Sequence, residues 1–266
     1  MSAIAVVGAG VMGETVIAGL LRGGWRPDQI TAVDRYQPRL DEIAARHQVG
    51  AAPLAEAVAG ADTVVVVVKP QDVAEVLPQI GAVLRPGALV VSLCAGVTTG
   101  RIEAALPSGT PVVRVMPNTP AQVDAGMSAI SAGAQAGADH LEFVTGLLAP
   151  IGAVVTVPEK YQDAVTAVSG SGPAYVFYVA EAMIDAGVFL GLPRDVATTL
   201  AVQTLVGSAK LLDESELGAT RLREMVTSPG GTTAAALRQL DDHGVKSAFF
   251  AALEAARDRS KELASS

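Results

Sequence analysis

A glycine-rich segment near the N-terminus has the spacing of a phosphate-binding turn. The letters GAGVMG, residues 8–13, directly follow an apolar run and open a helical pattern. In this context Gly8 permits a tight turn, Gly10 lets the backbone approach a pyrophosphate, and Gly13 allows close packing of helix and strand. The phosphates would then meet the positive end of the helix. The segment predicts a dinucleotide site with cofactor contacts at Gly8, Gly10, Val11, Met12 and Gly13.

A carboxylate and a guanidinium end the next apolar run and bear on which dinucleotide binds. Asp34 lies about 20 residues beyond the glycines, where a carboxylate accepts hydrogen bonds from the ribose hydroxyls of NAD. Arg35 follows and can pair with the 2′-phosphate of NADP. The neighbours favour different cofactors, and a solvated Asp–Arg pair at a strand end is the structural alternative. The pair predicts a nicotinamide dinucleotide and leaves its phosphorylation state open.

Three more segments follow apolar runs and are candidates for the nicotinamide side of the site. They are VVKPQ (67–71), CAGV (94–97) and MPNTPA (116–121). Ligands of doubly wound sheets bind along the carboxyl ends of the strands, which is where these segments would lie. Lys69 precedes a proline, so its backbone is extended and its side chain can reach a phosphate or ribose; a lone exposed lysine is the alternative. The predicted cofactor contacts are Val68, Lys69, Pro70, Ala95, Gly96 and Asn118.

A polar turn late in the chain, SPGGTT at 228–233, leads directly into an alanine- and leucine-rich helical pattern. Free backbone N–H groups at a helix start bind anions, helped by the helix dipole, and glycines let the backbone come close. Serine and threonine are also ordinary helix N-caps. The residues alone therefore leave a plain cap and an anion site equally open.

Some familiar catalytic and metal-binding arrangements are missing from the sequence. No tyrosine is followed by a lysine four residues on, so the acid pair of short-chain dehydrogenases does not occur. The histidines, His47, His140 and His243, fall outside every motif and are more typical of surface or cap positions. No histidine, cysteine or carboxylate cluster has metal-ligand spacing, and no metal site is predicted.

The first part of the chain alternates short β-branched runs with helical patterns. Continuous Val and Ile runs are typical of strands covered on both faces, as in a parallel sheet. The predicted strands are 3–8, 30–34, 63–69, 88–93 and 111–116, with weaker ones near 127–131 and 153–157. Helices are predicted at 11–23, 38–47, 71–84, 98–106 and 138–150. Right-handed crossovers then give a Rossmann-type doubly wound α/β sheet.

After Pro158 the chain has only helical patterns, broken at 170–173, 191–193, 213–218 and 228–231. We predict a dinucleotide-binding domain at 1–158 and an all-helical substrate-binding and dimerisation domain at 159–266. The later helices are apolar on more than one face, which requires burial on all sides. A homodimer or larger homo-oligomer satisfies this requirement, and packing against the first domain is the alternative.

Composition and charge restrict the class of protein. Of the 266 residues, 50% are hydrophobic and 17% charged, which is typical of a packed globular chain. A net charge of −8 disfavours binding to nucleic acid or to anionic membranes. The apolar run at 164–180 is too short for a membrane span, so we expect a buried helix there. The single cysteine, Cys94, favours a reducing cytoplasm.

Five motifs in this order resemble the pyrroline-5-carboxylate reductase family over essentially the whole chain. They are GAGVMG, VKPQ, MPNTP, SGSGPAY and SPGGTT, and the last two are far more specific than the glycine fingerprint. The resemblance implies reduction of the cyclic imine 1-pyrroline-5-carboxylate to L-proline, usually with NADPH preferred. It also implies intertwined dimers formed through the helical domain.

The resemblance further assigns residues to the substrate. Thr233 would hydrogen-bond the ring nitrogen as the catalytic contact, and its neighbours would bind the carboxylate. SGSGPAY (169–175) would lie under the nicotinamide and the substrate, with its small residues leaving room. Asp34 is less usual than Asn or Ser in NADP-preferring members, so NAD use is also expected. The implied substrate contacts are Ser171, Ser228, Gly230, Gly231, Thr232 and Thr233.

Two other functions are considered. A reductase of the β-hydroxyacid dehydrogenase type shares the architecture but needs a lysine on the first helix of the second domain, where this chain has PAYVFY. A dinucleotide-sensing regulatory module needs only the first domain, and it leaves SGSGPAY and SPGGTT unexplained.

Overall fold

The computed structural model describes residues 3–265. These residues form two compact units. The first unit runs up to Ser171 and includes the chain from Ala256 onward, and the second comprises Gly172–Ala255.

An eight-stranded sheet forms the centre of the first unit, with strand order β3-β2-β1-β4-β5-β6-β7-β8. All neighbouring strands are parallel except β6 and β7, which are antiparallel. Val7, Val33 and Val66 are in register, so β1, β2 and β4 end at the same edge. The strands are β1 (Ile4–Val7), β2 (Ile30–Val33), β3 (Gly50–Ala51), β4 (Thr63–Val66), β5 (Leu89–Ser92), β6 (Val112–Met116), β7 (Gly126–Ala132) and β8 (Gly152–Thr156).

Helices cover both faces of this sheet. Successive strand residues point to opposite faces, so Val6 joins one hydrophobic core and Val7 the other. One core contains residues of α1, α2 and α6, and the other contains residues of α3, α4 and α5. The prediction of a doubly wound sheet is confirmed. The helices are α1 (Val11–Arg22), α2 (Gln37–His47), α3 (Leu54–Gly60), α4 (Val73–Val83), α5 (Thr99–Ala104), α6 (Ala138–Leu148) and α7 (Gln162–Val165).

The sequence predictions missed two short elements and one strand direction. The two-residue strand β3 is exposed, so it lacks an apolar run. The seven-residue helix α3 is too short to show a periodic pattern. The link between β6 and β7 is short, and parallel neighbours need a crossover of about a dozen or more residues. An antiparallel turn is therefore the available solution at this point of the sheet.

The first compact unit extends beyond the domain boundary predicted near residue 158. Gln162 is fully buried, and its Nε2 donates to Ser131 Oγ at 2.7 Å. Glu159 forms an ion pair with the buried Arg114 at 2.8 Å. Residues 159–171 therefore pack against the sheet, and the structural boundary falls after Ser171. The functional division at 158 stays a prediction.

The second unit is all-helical, as predicted. Its first helix, α8, packs closely against α9 at Gly187. A Cβ built on Gly187 would lie only 3.0 Å from the Ala197 Cβ, so the absence of a side chain there permits the close approach. No residue of α8 is buried within the chain, and Phe177 and Phe189 are 66% and 90% exposed. In the run expected to form a buried helix, 164–180, Ala167 is buried, but the residues that belong to α8 are not buried within the single chain. The helices are α8 (Gly172–Phe189), α9 (Arg194–Glu214), α10 (Ala219–Met225), α11 (Thr232–Asp242) and α12 (Val245–Ser265), and α12 ends in the first unit.

Over residues 3–265, each helix is either too short or too polar to cross a membrane.

We predict that Glu159→Ala destabilises the protein strongly. The Arg114 side chain is only 3% exposed, so the substitution leaves a buried guanidinium without its carboxylate. We expect the free energy of unfolding to fall by about 3 kcal/mol, as measured by urea denaturation at a fixed protein concentration. The control Glu224→Ala breaks the exposed pair with Arg221 and should change it by less than about 1 kcal/mol. Equal losses in the two variants would contradict a stabilising role for the buried pair.

Candidate cofactor and substrate sites

The turn between β1 and α1 has no room for side chains at two of its glycines. Gly8 has φ +105°, and a Cβ there would lie 2.5 Å from the carbonyl oxygen of Val67. A Cβ on Gly13 would lie 1.9 Å from the carbonyl oxygen of Gly8. Both distances are far shorter than real Cβ contacts, so only glycine fits either position.

Gly10 differs from the other two glycines because it faces open space. No atom lies within 4 Å of a Cβ built on it. It precedes α1, whose start has no side-chain cap. The N–H groups of the first helical turn have no acceptor within the helix. This turn can therefore receive a pyrophosphate, which needs close backbone approach and free N–H donors.

Side chains hold the middle of this turn from two sides. The Ala9 N–H donates to Asp34 Oδ2 at 2.8 Å, and Arg39 Nε donates to the Ala9 carbonyl at 3.0 Å. The other Asp34 oxygen accepts the Tyr36 N–H at 2.9 Å. A carboxylate oxygen can accept more than one hydrogen bond, so Asp34 retains capacity for a ribose hydroxyl.

A cavity of about 610 Å³ opens beside this turn at the carboxyl ends of β1, β2 and β4. It brings together six of the predicted cofactor residues. The predicted contacts Val11, Met12, Gly13, Pro70, Ala95, Gly96 and Asn118 do not line it. Its walls include residues that the sequence reasoning missed, among them Leu40, Pro53, Leu54 and Asp72. The predicted residues in its lining are Gly8, Gly10, Asp34, Arg35, Val68 and Lys69.

Arg35 does not project freely into this cavity. Its Nη1 lies 3.2 Å from Asp72 Oδ1, on the turn that precedes α4. Asp72 was not singled out in the sequence because the motif VKPQ ends one residue before it.

The end of β6 contacts the SGSGPAY segment within the first unit. Asn118 Nδ2 donates to the Ser169 carbonyl at 3.2 Å, and Asn118 Oδ1 accepts the Met127 N–H at 2.8 Å. A Cβ on Gly170 would lie 2.3 Å from the Met116 methyl group. The small residues of this segment therefore permit close packing on β6. Asn118 connects β6, β7 and this segment, and its predicted cofactor contact stays a prediction.

The turn at 228–233 lies in the second unit and is described on its own. Gly230 has φ +67°, and a Cβ on Gly231 would lie 2.4 Å from Ser228 Oγ. Gly231 is the N-cap of α11 and provides no side-chain cap bond. Ser228 and Thr232 are exposed, and Thr233 is half-buried. The plain-cap alternative requires a side-chain oxygen bonded to the helix start, and none is present there among the described residues. The first N–H groups of α11 are thus available to an external anion.

Comparison with known proteins agrees with both halves of this description. A family model described as pyrroline-5-carboxylate reductase dimerisation matches residues 159–263. A second, described as NADP oxidoreductase coenzyme F420-dependent, matches residues 3–96. A pyrroline-5-carboxylate reductase of Mycobacterium tuberculosis is 43% identical, over 99% of this chain and 97% of its own.

The chain belongs to the pyrroline-5-carboxylate reductase family.

Solved structures of pyrroline-5-carboxylate reductases have the same fold. The enzyme of Coxiella burnetii matches with a TM-score of 0.94 at 35% identity, covering 98% of each chain. That of Plasmodium falciparum, solved with NADP bound, gives a TM-score of 0.88 at 29% identity, covering 99% of this chain and 98% of its own. The family is one of oxidoreductases, so this chain is an enzyme that uses a nicotinamide cofactor and a small-molecule substrate.

In this member of the pyrroline-5-carboxylate reductase family, a charged network holds α1 against α2 behind the glycine turn. Glu14 accepts hydrogen bonds from Arg39, Arg46 and His47. Burial raises the pKa of Glu14, but the hydrogen bonds with His47, Arg39 and Arg46 outweigh it and lower the pKa to about 2. Arg39 also donates a hydrogen bond to the Ala9 carbonyl, so this network helps to stabilise the shape of the glycine turn.

This network predicts an acid-dependent loss of stability. A carboxyl group whose pKa is lowered on folding stabilises the folded state above its unfolded pKa, and that stabilisation is lost as the pH falls through the folded pKa. For Glu14 this window extends from about 4.5 down to about 2. We expect Glu14→Gln to lower the free energy of unfolding at pH 7 by about 1–3 kcal/mol and to flatten its pH dependence within the window.

Urea denaturation between pH 7 and pH 2.5 measures both effects, with Glu216→Gln as control because Glu216 is exposed and outside the network. A Glu14→Gln profile parallel to that of the wild type would contradict the lowered pKa.

Proposed function

We propose that this chain reduces 1-pyrroline-5-carboxylate to L-proline by hydride transfer from a nicotinamide dinucleotide, with NADPH preferred. Membership of the pyrroline-5-carboxylate reductase family supports the reaction. The observation that carries the residue assignment is the start of α11, which has free N–H groups and no side-chain cap.

The substrate requires few titratable groups from the enzyme. It has one carboxylate and one C=N bond, and protonation of that nitrogen already makes carbon 5 electrophilic. Binding must hold the carboxylate so that carbon 5 faces the hydride-bearing carbon of the nicotinamide. In our proposal the N–H groups at Gly230–Thr233 and the Ser228 and Thr232 hydroxyls bind the carboxylate.

The remaining substrate contacts concern the ring. In our proposal Thr233 hydrogen-bonds the ring nitrogen as the catalytic contact, and Ser171 contacts the substrate from the SGSGPAY segment. The Thr233 side chain forms no hydrogen bond with another residue of the described chain, so its hydroxyl is free for this role.

The first unit would hold the cofactor. The glycine turn fits a pyrophosphate, since Gly10 is open and the start of α1 is uncapped. Asp34 would accept bonds from the adenosine ribose, and Val68, Lys69 and Pro70 would follow the chain of the cofactor. When bound, the reduced nicotinamide supplies the hydride. Toward it we assign Ala95, Gly96 and Asn118, beyond the ends of β5 and β6.

NADPH preference is proposed on the basis of Arg35, with NADH as an alternative donor because of Asp34. A guanidinium pairs strongly with a 2′-phosphate, whereas a carboxylate at the end of β2 suits the unphosphorylated ribose. Both side chains line the same cavity, so some use of each cofactor is expected.

We also propose a homodimer or larger homo-oligomer formed through the C-terminal helices. The exposed apolar side chains of α8, such as Phe177 and Tyr178, support this interface, as does the match to the dimerisation family. A cytoplasmic setting is proposed from the single cysteine, Cys94, which is buried and unpaired.

The reaction is tested directly with purified protein. We expect loss of NADPH absorbance when 1-pyrroline-5-carboxylate is added, and formation of L-proline in equal amount. We expect kcat/KM to be higher with NADPH than with NADH. No absorbance loss with either cofactor between pH 6 and pH 9 would reject the proposed function.

Thr233→Ala tests the assignment of the ring-nitrogen contact. One transition-state hydrogen bond is worth roughly 1–3 kcal/mol, so kcat/KM for the imine should fall by about 10- to 100-fold. The KM for NADPH should stay unchanged. The control Thr220→Ala alters an exposed threonine on α10 and should leave kcat/KM as in the wild type. Unchanged kinetics of Thr233→Ala would remove Thr233 from this role.

A further inference from the structure

An ion pair lies in the cavity where the 2′-phosphate on the cofactor's adenosine would bind. Arg35 and Asp72 both line the large cavity of the first unit, and Arg35 Nη1 lies 3.2 Å from Asp72 Oδ1. The Arg35 side chain is 76% exposed and that of Asp72 only 21%. The carboxylate is therefore the more firmly positioned partner, and the guanidinium is the one able to turn.

The Asp72 side chain does not cap the helix that it precedes. Asp72 is the N-cap residue of α4, but its side chain forms no capping hydrogen bond there. Its carboxylate is directed instead at Arg35, across the cavity wall. A side chain at an N-cap that does not cap is available for a ligand-related function.

We propose that Asp72 is a specificity-determining residue that limits the enzyme's selectivity for the 2′-phosphorylated cofactor. This proposal rests on the proposed function, since it requires the dinucleotide to occupy this cavity. Asp72 acts through Arg35, because the guanidinium must leave the Asp72 carboxylate to bind a 2′-phosphate. Asp72 also adds a negative charge to the wall that the phosphate would approach.

The physical magnitudes predict a moderate effect. Exposed ion pairs contribute little free energy, so Arg35 leaves Asp72 at small cost. A guanidinium binds a phosphate bidentately, which is stronger than the single contact with Asp72. The 2′-phosphate therefore still displaces Asp72 from Arg35, but the phosphorylated cofactor binds with lower affinity than it would without Asp72. ADP-ribose has no 2′-phosphate for Arg35 to bind, so its affinity should not depend on whether Arg35 is paired with Asp72.

The variant Asp72→Asn tests this inference by equilibrium binding. Asn and Asp are equally good N-cap residues, so the helix start is preserved. The two probes are ADP-ribose and ADP-ribose 2′-phosphate. Neither contains the nicotinamide, so both report binding without the reaction. By isothermal titration calorimetry, we expect Kd for ADP-ribose 2′-phosphate to fall by about three- to fivefold. We expect Kd for ADP-ribose to change by less than about twofold.

Two further variants separate the pairing with Arg35 from a general charge effect. Glu75 lines the same cavity, and within the described residues 3–265 its carboxylate forms no ion pair with Arg35. Glu75→Gln therefore removes a nearby negative charge without removing a partner of Arg35. Its effect on Kd for the 2′-phosphate should be less than half that of Asp72→Asn. In an Arg35→Ala background, Asp72→Asn should change that Kd by less than about twofold.

Each outcome decides between the alternatives. Equal effects of Asp72→Asn and Glu75→Gln, or an undiminished effect without Arg35, would overturn the role of the pair. A parallel change in Kd for both probes would show that Asp72 only shapes the cavity. If neither probe binds the wild-type protein, the proposed cofactor site fails, and this inference fails with it.

Discussion

The first unit depends on a backbone contact that excludes any side chain at the start of α1. The Gly8 and Val67 backbones approach so closely that a Cβ on Gly8 would lie 2.5 Å from the Val67 oxygen. A Cβ on Gly13 would lie even closer, 1.9 Å from the Gly8 oxygen. This contact places the start of α1 at the edge of the sheet, beside the cavity that Gly8 and Gly10 line. Asp34 and Arg39 bond Ala9 from both sides, and these two hydrogen bonds stabilise the shape of the turn.

Both proposed anion-binding positions are helix starts, which attract anions through backbone dipoles rather than through charged side chains. The chain carries a net charge of −8, although its substrate and its cofactor are both anions. A helix start attracts an anion over a short range, and the overall charge of the protein acts over a longer and screened range. The starts of α1 and α11 both lack a side-chain cap. At the two helix starts where we propose that anions bind, this local attraction would outweigh the unfavourable total charge of the chain.

The sequence predicted the doubly wound sheet because buried parallel strands leave continuous Val and Ile runs. It also predicted the glycine turn, since the spacing of Gly8, Gly10 and Gly13 reflects backbone contacts that lie close in the chain. It did not predict α3 or β3, whose residues show no periodic pattern. Nor did it predict the pairing of Arg35 with Asp72, because two residues 37 positions apart meet only through the parallel sheet.

The surface of α8 has a consequence for how the enzyme folds. No residue of this helix is buried in the single chain, and most of its side chains are apolar. If a second copy covers it, as proposed, then ordering of the helical unit and association of two chains are one event. The midpoint of thermal unfolding would then rise with enzyme concentration, and refolding from dilute solution would follow second-order kinetics. Activity would be lost on high dilution without any change in covalent structure.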